Sequence, residues 1–222
     1  MTERISQPDF LLIRDCDSDN KTFGCNQAWY AERWQRDAGC GPCTAATILY
    51  YLSRSCEGLG HLYTADTFFR NDFSLFMAEI WHFVTPGHMG VNEAAVLADG
   101  VVRYAAGHGV ILRSAIKKVP PKRNRTVPYA DFVNFIRQGL SNDCPVAFLN
   151  LSNGRLPNLD SWHWVTITEL TNDGSAEISD SGERKQIDLQ RWYGSSLLGG
   201  AAVWFTVDDG SSVSLVEDLG QR

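Results

Sequence analysis

The sequence predicts an α+β fold in which an N-terminal helical lobe packs on a C-terminal antiparallel sheet. Three observations carry that expectation. Apolar residues recur at helical spacing between residues 40 and 142. From residue 145 onward, short runs of β-formers alternate with turn residues. Between two of those runs stands Asn172-Asp173-Gly174, a hairpin signal.

Taken in order, residues 1 to 38 are mixed, with a turn-rich stretch from Asp15 to Gly24. A helix follows over Pro42 to Ser53. Ala45, Ile48, Leu49 and Leu52 fall at i, i+3, i+4 and i+7 and predict one buried face. Pro42 suits its first turn, where a missing N–H costs nothing. A second helix is expected over Asp72 to Phe83. Thr85 to Gly90, with Pro86 and Gly87, reads as a loop, and Asn92 as the N-cap of a helix reaching Gly107. Another helix spans Tyr129 to Leu140. Strands are expected over Pro145–Leu151, Trp162–Leu170, Ala176–Ser179, Lys185–Leu189 and Ala201–Val207. The whole reads as one domain over 1–208, helical over 40–142 and β over 145–207. Residues 209–222 are expected to form a frayed tail.

Bulk composition narrows the function classes. The 222 residues are 44% hydrophobic and 21% charged, ordinary for a globular chain that can bury a real core. A formal charge of -6 with no long basic run argues against nucleic-acid binding. The densest basic stretch, Lys117 to Arg125, contains two prolines and reads as a solvated loop. No segment reaches the ~18 apolar residues of a membrane helix, so no membrane partner is expected. The N-terminus lacks the apolar core of a signal peptide, and a cytoplasmic protein is expected. In that compartment most of the six cysteines should be free thiols. Cys16, Cys25, Cys56 and Cys144 read as small buried hydrophobes. No second close cysteine pair completes a zinc site, and neither a metal nor an organic cofactor is expected.

The chemistry concentrates in Gly39-Cys40-Gly41-Pro42-Cys43-Thr44-Ala45-Ala46, which opens the first helix. Unpaired N–H groups and the positive end of the helix dipole lower a thiol pKa at such a place, making a cysteine there a nucleophile candidate. Cys40-Gly41-Pro42-Cys43 is also a redox tetrapeptide. Its context argues against that use: the preceding residues, Glu32 to Ala38, are not a buried strand, and Pro86 leads into Gly87-His88-Met89-Gly90 rather than an apolar strand.

A catalytic thiol needs a base, and the base an orienting group. Of the five histidines, His61, His82, His88 and His108 have no distinctive flanks. His163 opens the β-rich run Trp162-His163-Trp164-Val165-Thr166-Ile167-Thr168, where a rigid strand holds the imidazole between large aromatics. Seventeen residues on, in Ile178-Ser179-Asp180-Ser181-Gly182, an antiparallel hairpin turning at Asn172–Gly174 brings Asp180 back beside His163. The polar loop from Leu149 to Leu159, with Arg155, and the loop from Thr85 to Asn92 are expected to rim the cleft.

A cysteine opening a helix, then a strand histidine and a strand-end aspartate, resembles the papain-like cysteine peptidase superfamily. The branch it most resembles is the bacteriocin-leader (double-glycine) peptidases, on Cys40-Gly41-Pro42 followed by small residues and on the His163 and Asp180 segments. The resemblance covers residues 25 to 206, strongly around Cys40 and His163 and weakly over 57–127. It implies a papain-like fold, a Cys40–His163–Asp180 triad, and hydrolysis of an amide or peptide bond in a peptide, a protein or a small amide. Papain uses the second cysteine of its motif, which would make Cys43 the nucleophile, but Thr44 stands where papain has tryptophan, and Cys-Gly-Pro favours Cys40. The family's oxyanion-hole glutamine maps to Gln27, in Gln27-Ala28-Trp29, or to Gln35, five residues before Cys40. The same triad also serves acyl transfer and deamidation. A non-catalytic peptide-binding domain and a thiol–disulfide oxidoreductase are the other readings.

Overall fold

A computed structural model describes residues 2–208. The expected tail over 209–222 lies outside the described residues. The elements run β1 (Glu3–Arg4), β2 (Leu12–Arg14), β3 (Lys21–Phe23), α1 (Arg33–Ala38), α2 (Cys40–Ser55), α3 (Arg70–Trp81), α4 (Ala94–Gly107), β4 (Leu112–Val119), α5 (Tyr129–Ser141), β5 (Val146–Asn150), β6 (His163–Leu170), β7 (Ser175–Asp180), β8 (Glu183–Asp188), α6 (Leu189–Ser195) and β9 (Gly200–Val207). The class is α+β. Seven strands form an antiparallel sheet in the order β4-β9-β5-β6-β7-β8, with β1 paired to the far end of β6. A separate β2–β3 hairpin lies outside it.

At the centre lies α2, packed against β5 and β6 on one side and α3 and α4 on another. Its periodicity predicts a single buried face, yet every residue from Gly41 to Leu52 is buried. The intervening positions are small (Thr44, Ala46, Thr47) or aromatic (Tyr50, Tyr51), so neighbours close over them as well. Tyr50, Tyr63, Phe73 and Phe76 meet ring against ring at centroid distances of 4.9 to 5.9 Å and join α2 to α3. Aromatic pairs in such tilted and edge-on arrangements are worth about 0.5–1.5 kcal/mol beyond the area they bury.

Several expectations need correction. Leu112–Val119 is a strand inside the stretch read as helical. Its Arg113, Ile116, Lys117 and Lys118 belong to an edge strand that, among the described strands, pairs with β9 alone. Charged residues on an exposed sheet edge discourage pairing with other chains, so such a strand reads like a loop. The basic loop is therefore shorter than expected, with one 3-10 turn over Lys122–Asn124. Asn92 does not cap α4; Glu93 holds the cap position and makes no side-chain cap hydrogen bond. Leu189, expected to end a strand, opens α6, which Asp188 caps by accepting from the Arg191 N–H at 2.7 Å. The Asn172–Gly174 turn forms as read: the Thr171 N–H donates to Ser175 O at 2.9 Å and Gly174 takes φ +86°.

Candidate functional site

Cys40 is the first residue of α2, and the Gly39 before it leaves the helix start without a side-chain cap. A side chain at Gly39 would run into Gln35 O and the Tyr30 ring, and one at Gly41 would sit 2.8 Å from the Val91 side chain. Both neighbours of Cys40 are thus glycines because other parts of the chain pass against them. Val91 also fixes the sheet side of the site: its carbonyl accepts the Trp164 indole N–H at 2.6 Å. The Thr85–Asn92 segment therefore bridges the start of α2 and β6 through Val91.

His163 opens β6. Thr166 pairs with Ser179 across the hairpin, so Asp180 stands opposite Val165 and lies diagonally from His163 on the same face. The His163 Nε2 and Asp180 Oδ1 are 2.7 Å apart. With Nε2 so occupied, Nδ1 is the nitrogen left for the Cys40 thiol, which lines the same crevice. Burial disfavours a charged imidazole, but the Asp180 hydrogen bond and the neighbouring Cys40 outweigh it and push His163 up to about 10. Asp180 is 4% exposed. Burial there works against a carboxylate, yet the His163 and Lys185 partners hold it down to about 2. Its Oδ1 also accepts from Ser181 Oγ at 3.1 Å, and its Oδ2 meets Lys185 Nζ at 2.8 Å. Sequence reasoning missed Lys185, although its place three residues beyond the Ser181-Gly182 turn was legible.

Gln27 lines the same narrow crevice as Cys40 and His163. It sits on a 3-10 turn, Gln27–Trp29, capped by Asn26, whose Oδ1 accepts from the Ala28 N–H at 2.8 Å. The Asn26 Nδ2 donates to Ser181 O at 2.7 Å, linking the turn that carries Gln27 to the turn that follows Asp180. The Gln27 Nε2 donates to Arg36 O at 2.8 Å. Gln35, on α1, does not line the crevice.

The other cysteines depart from expectation. Cys25 is not a lone small hydrophobe: it forms a disulfide with Cys43, their Cα atoms 6.1 Å apart. Cys43 is therefore tied neither to Cys40 nor free to act as a nucleophile in this state, and Cys40 is a free thiol. Cys16 is exposed and Cys56 half-buried; Cys144 alone of the four fits the buried-hydrophobe reading. The thiol of Cys144 is pushed up to about 12 by burial. Two wider hollows, about 670 and 710 Å³, lie by Asp15–Lys21 and by Phe10 and Phe68, and neither holds a cysteine–histidine pair. Among the described residues no group of three or more His, Cys, Asp or Glu is placed to hold a metal ion. Among them too, no helix is long and apolar enough to cross a membrane.

No family model and no curated protein matches the sequence. Among solved structures, the chain is similar to a double glycine motif protease from an AMS/PCAT transporter, solved in complex with the leader peptide. They share 15% identity with a TM-score of 0.36, over 75% of this chain and 82% of that one. It is also similar to the Pseudomonas avirulence protein AvrPphB, at 12% identity and a TM-score of 0.37, over 80% of this chain and 96% of that one.

Proposed function

We propose that the chain is a papain-like cysteine hydrolase that cleaves an amide or peptide bond through Cys40, His163 and Asp180. The observation that carries this reading is the His163–Asp180 hydrogen bond of 2.7 Å in the same crevice as a free thiol at a helix start. The raised His163 and lowered Asp180 agree with it, since an imidazolium beside a carboxylate is favoured over the neutral pair.

In this reading the Cys40 thiolate attacks the acyl carbon, and the bond to the leaving nitrogen breaks after His163 protonates it. Asp180 keeps the ring oriented and stabilises its charged form. The oxyanion rests on the Cys40 backbone N–H and on the Gln27 Nε2 hydrogen not engaged by Arg36 O, rather than on Gln35. One such donor is worth roughly 3 kcal/mol in the transition state. Water, deprotonated by His163, then releases the acid and regenerates the thiol. A peptide or protein is the proposed substrate, and acyl transfer or deamidation would need only a different acceptor or a side-chain amide at the same centre. The oxidoreductase alternative is disfavoured because the half-cystine Cys43 is joined to Cys25 and both are buried.

The test is per-cysteine iodoacetamide labelling of the native protein, followed by mass spectrometry. Cys40 should label at least about tenfold faster at neutral pH than exposed Cys16, and His163→Ala should remove that excess. Equal rates at Cys16 and Cys40, indifferent to His163→Ala, would sink the reading. Given any substrate found in a peptide screen, Cys40→Ala should abolish turnover.

A further inference from the structure

Within the hydrolase reading, which this inference rests on, we infer that Lys185 is a positioning residue of the triad, holding Asp180 in the one orientation that serves His163. Three residues lie on a diagonal across three strands. Asp180 on β7 stands opposite Glu183 on β8, and Lys185, two residues further on, shares that face. His163 on β6 is the corresponding diagonal neighbour on the other side. The carboxylate therefore has a cation or potential cation at each oxygen: His163 Nε2 at 2.7 Å from Oδ1 and Lys185 Nζ at 2.8 Å from Oδ2.

The partition of partners makes Lys185 more than a surface ion pair. Oδ1 is shared by His163 and Ser181, whereas Lys185 is the side-chain partner that Oδ2 has. The Asp180 side chain is 4% exposed, so an Oδ2 deprived of the ammonium could not turn to bulk water without leaving His163. Rotation or protonation of the carboxylate would follow, and either weakens the His163 contact. Lys185 itself is 28% exposed and reaches Asp180 from the solvent side. The other titratable groups near the carboxylate are His163 from β6, Cys40 from α2 in the same crevice as that ring, and Glu183 from β8, whose Oε2 is 3.4 Å from the same ammonium. Arg184, between them in sequence, is engaged with Glu177 and Asp9 instead.

The experiment measures Cys40 alkylation by iodoacetamide in the full chain from about pH 4 to pH 9, in the parent, Lys185→Met, Lys185→Arg, Asp180→Asn and the Lys185→Met/Asp180→Asn double variant. Lys185→Met should slow Cys40 labelling roughly 3- to 10-fold at pH 6 and move the acid side of the profile to higher pH. Lys185→Arg, which keeps a cationic N–H donor, should stay within about twofold of the parent. Because Lys185 acts through Asp180, the double variant should match Asp180→Asn alone. If Lys185→Met does not fold, Lys185→Gln takes its place with the same expectations. A neutral variant with the parent's profile at every pH, or an effect that adds in full to Asp180→Asn, overturns the inference. Those outcomes are distinct from failure of the hydrolase reading, in which the parent's Cys40 is itself unreactive and indifferent to His163.

Discussion

At the scale of single residues, the site is a chain of charges kept alive by each other. His163 holds its proton up to about 10, above the ordinary 6.5 of an imidazole, and Asp180 loses its proton down to about 2, below the ordinary 3.8. Folding thus favours the imidazolium, and its contribution to stability is complete below about pH 6.5 and lost as pH rises through 10. Asp180 contributes fully above 3.8, and its share is lost as pH falls through about 2. Together they predict a stability plateau from about pH 4 to 6.5 and an alkaline decline on the order of a few kcal/mol. Urea unfolding between about pH 5 and pH 9 checks this: His163→Ala should flatten the alkaline slope. An identical slope in parent and variant would assign the decline to other groups. The helix-start position of Cys40 and the approach of Asp180 to His163 were legible in the sequence because they depend on local structure, one helix start and one hairpin. The Cys25–Cys43 disulfide was not, since the loop after β3 and the first turn of α2 meet only through the fold.

At the scale of elements, close passage matters more than propensity. Val91 presses on Gly41 from one side while its carbonyl takes the Trp164 N–H on the other. Gly41→Ala would place a methyl 2.8 Å from Val91, forcing the Thr85–Asn92 segment away from the start of α2 and disturbing its bond to Trp164. The expected cost is about 1–3 kcal/mol, read as a lower urea midpoint, with slower Cys40 labelling because the helix start moves. A variant as stable as the parent would mean that Val91 yields freely. The long helices were legible from their apolar spacing, and the β5 to β9 strands from runs of β-formers bounded by turn residues. β4 was hidden by its lysines, and α6 by its seven residues, too short to display a helical period. The extent of burial around α2 was hidden too, because a row of small residues looks the same whether it faces solvent or a close neighbour.

At the scale of the whole molecule, distant parts of the chain are fastened at a few polar knots. Asp143, in the turn between α5 and β5, accepts the Ser6 N–H at 2.6 Å, the Ser6 hydroxyl at 2.8 Å and the Tyr51 hydroxyl at 2.6 Å. It thereby ties the segment after β1, the middle of α2 and the entrance to the central sheet. Asp143→Ala should lower stability by roughly 1–3 kcal/mol, and circular dichroism and tryptophan fluorescence should still report one shared transition. An unchanged midpoint would show that the three donors find replacements. Sequence order conceals such a knot, since Ser6 and Asp143 lie 137 residues apart.

The position of β9 carries a consequence for how the protein is made. It is the last described strand, yet it lies between β4 and β5 and is the strand that β4 pairs with. Until it arrives, β4 has no strand partner in the sheet and β5 presents an open edge. The β6–β7 hairpin, with His163 and Asp180, closes over a short stretch of chain and can assemble earlier. A nascent chain on the ribosome would thus hold His163 and Asp180 together while its sheet remained in two pieces with sticky borders, the interval in which a chaperone would have most to do.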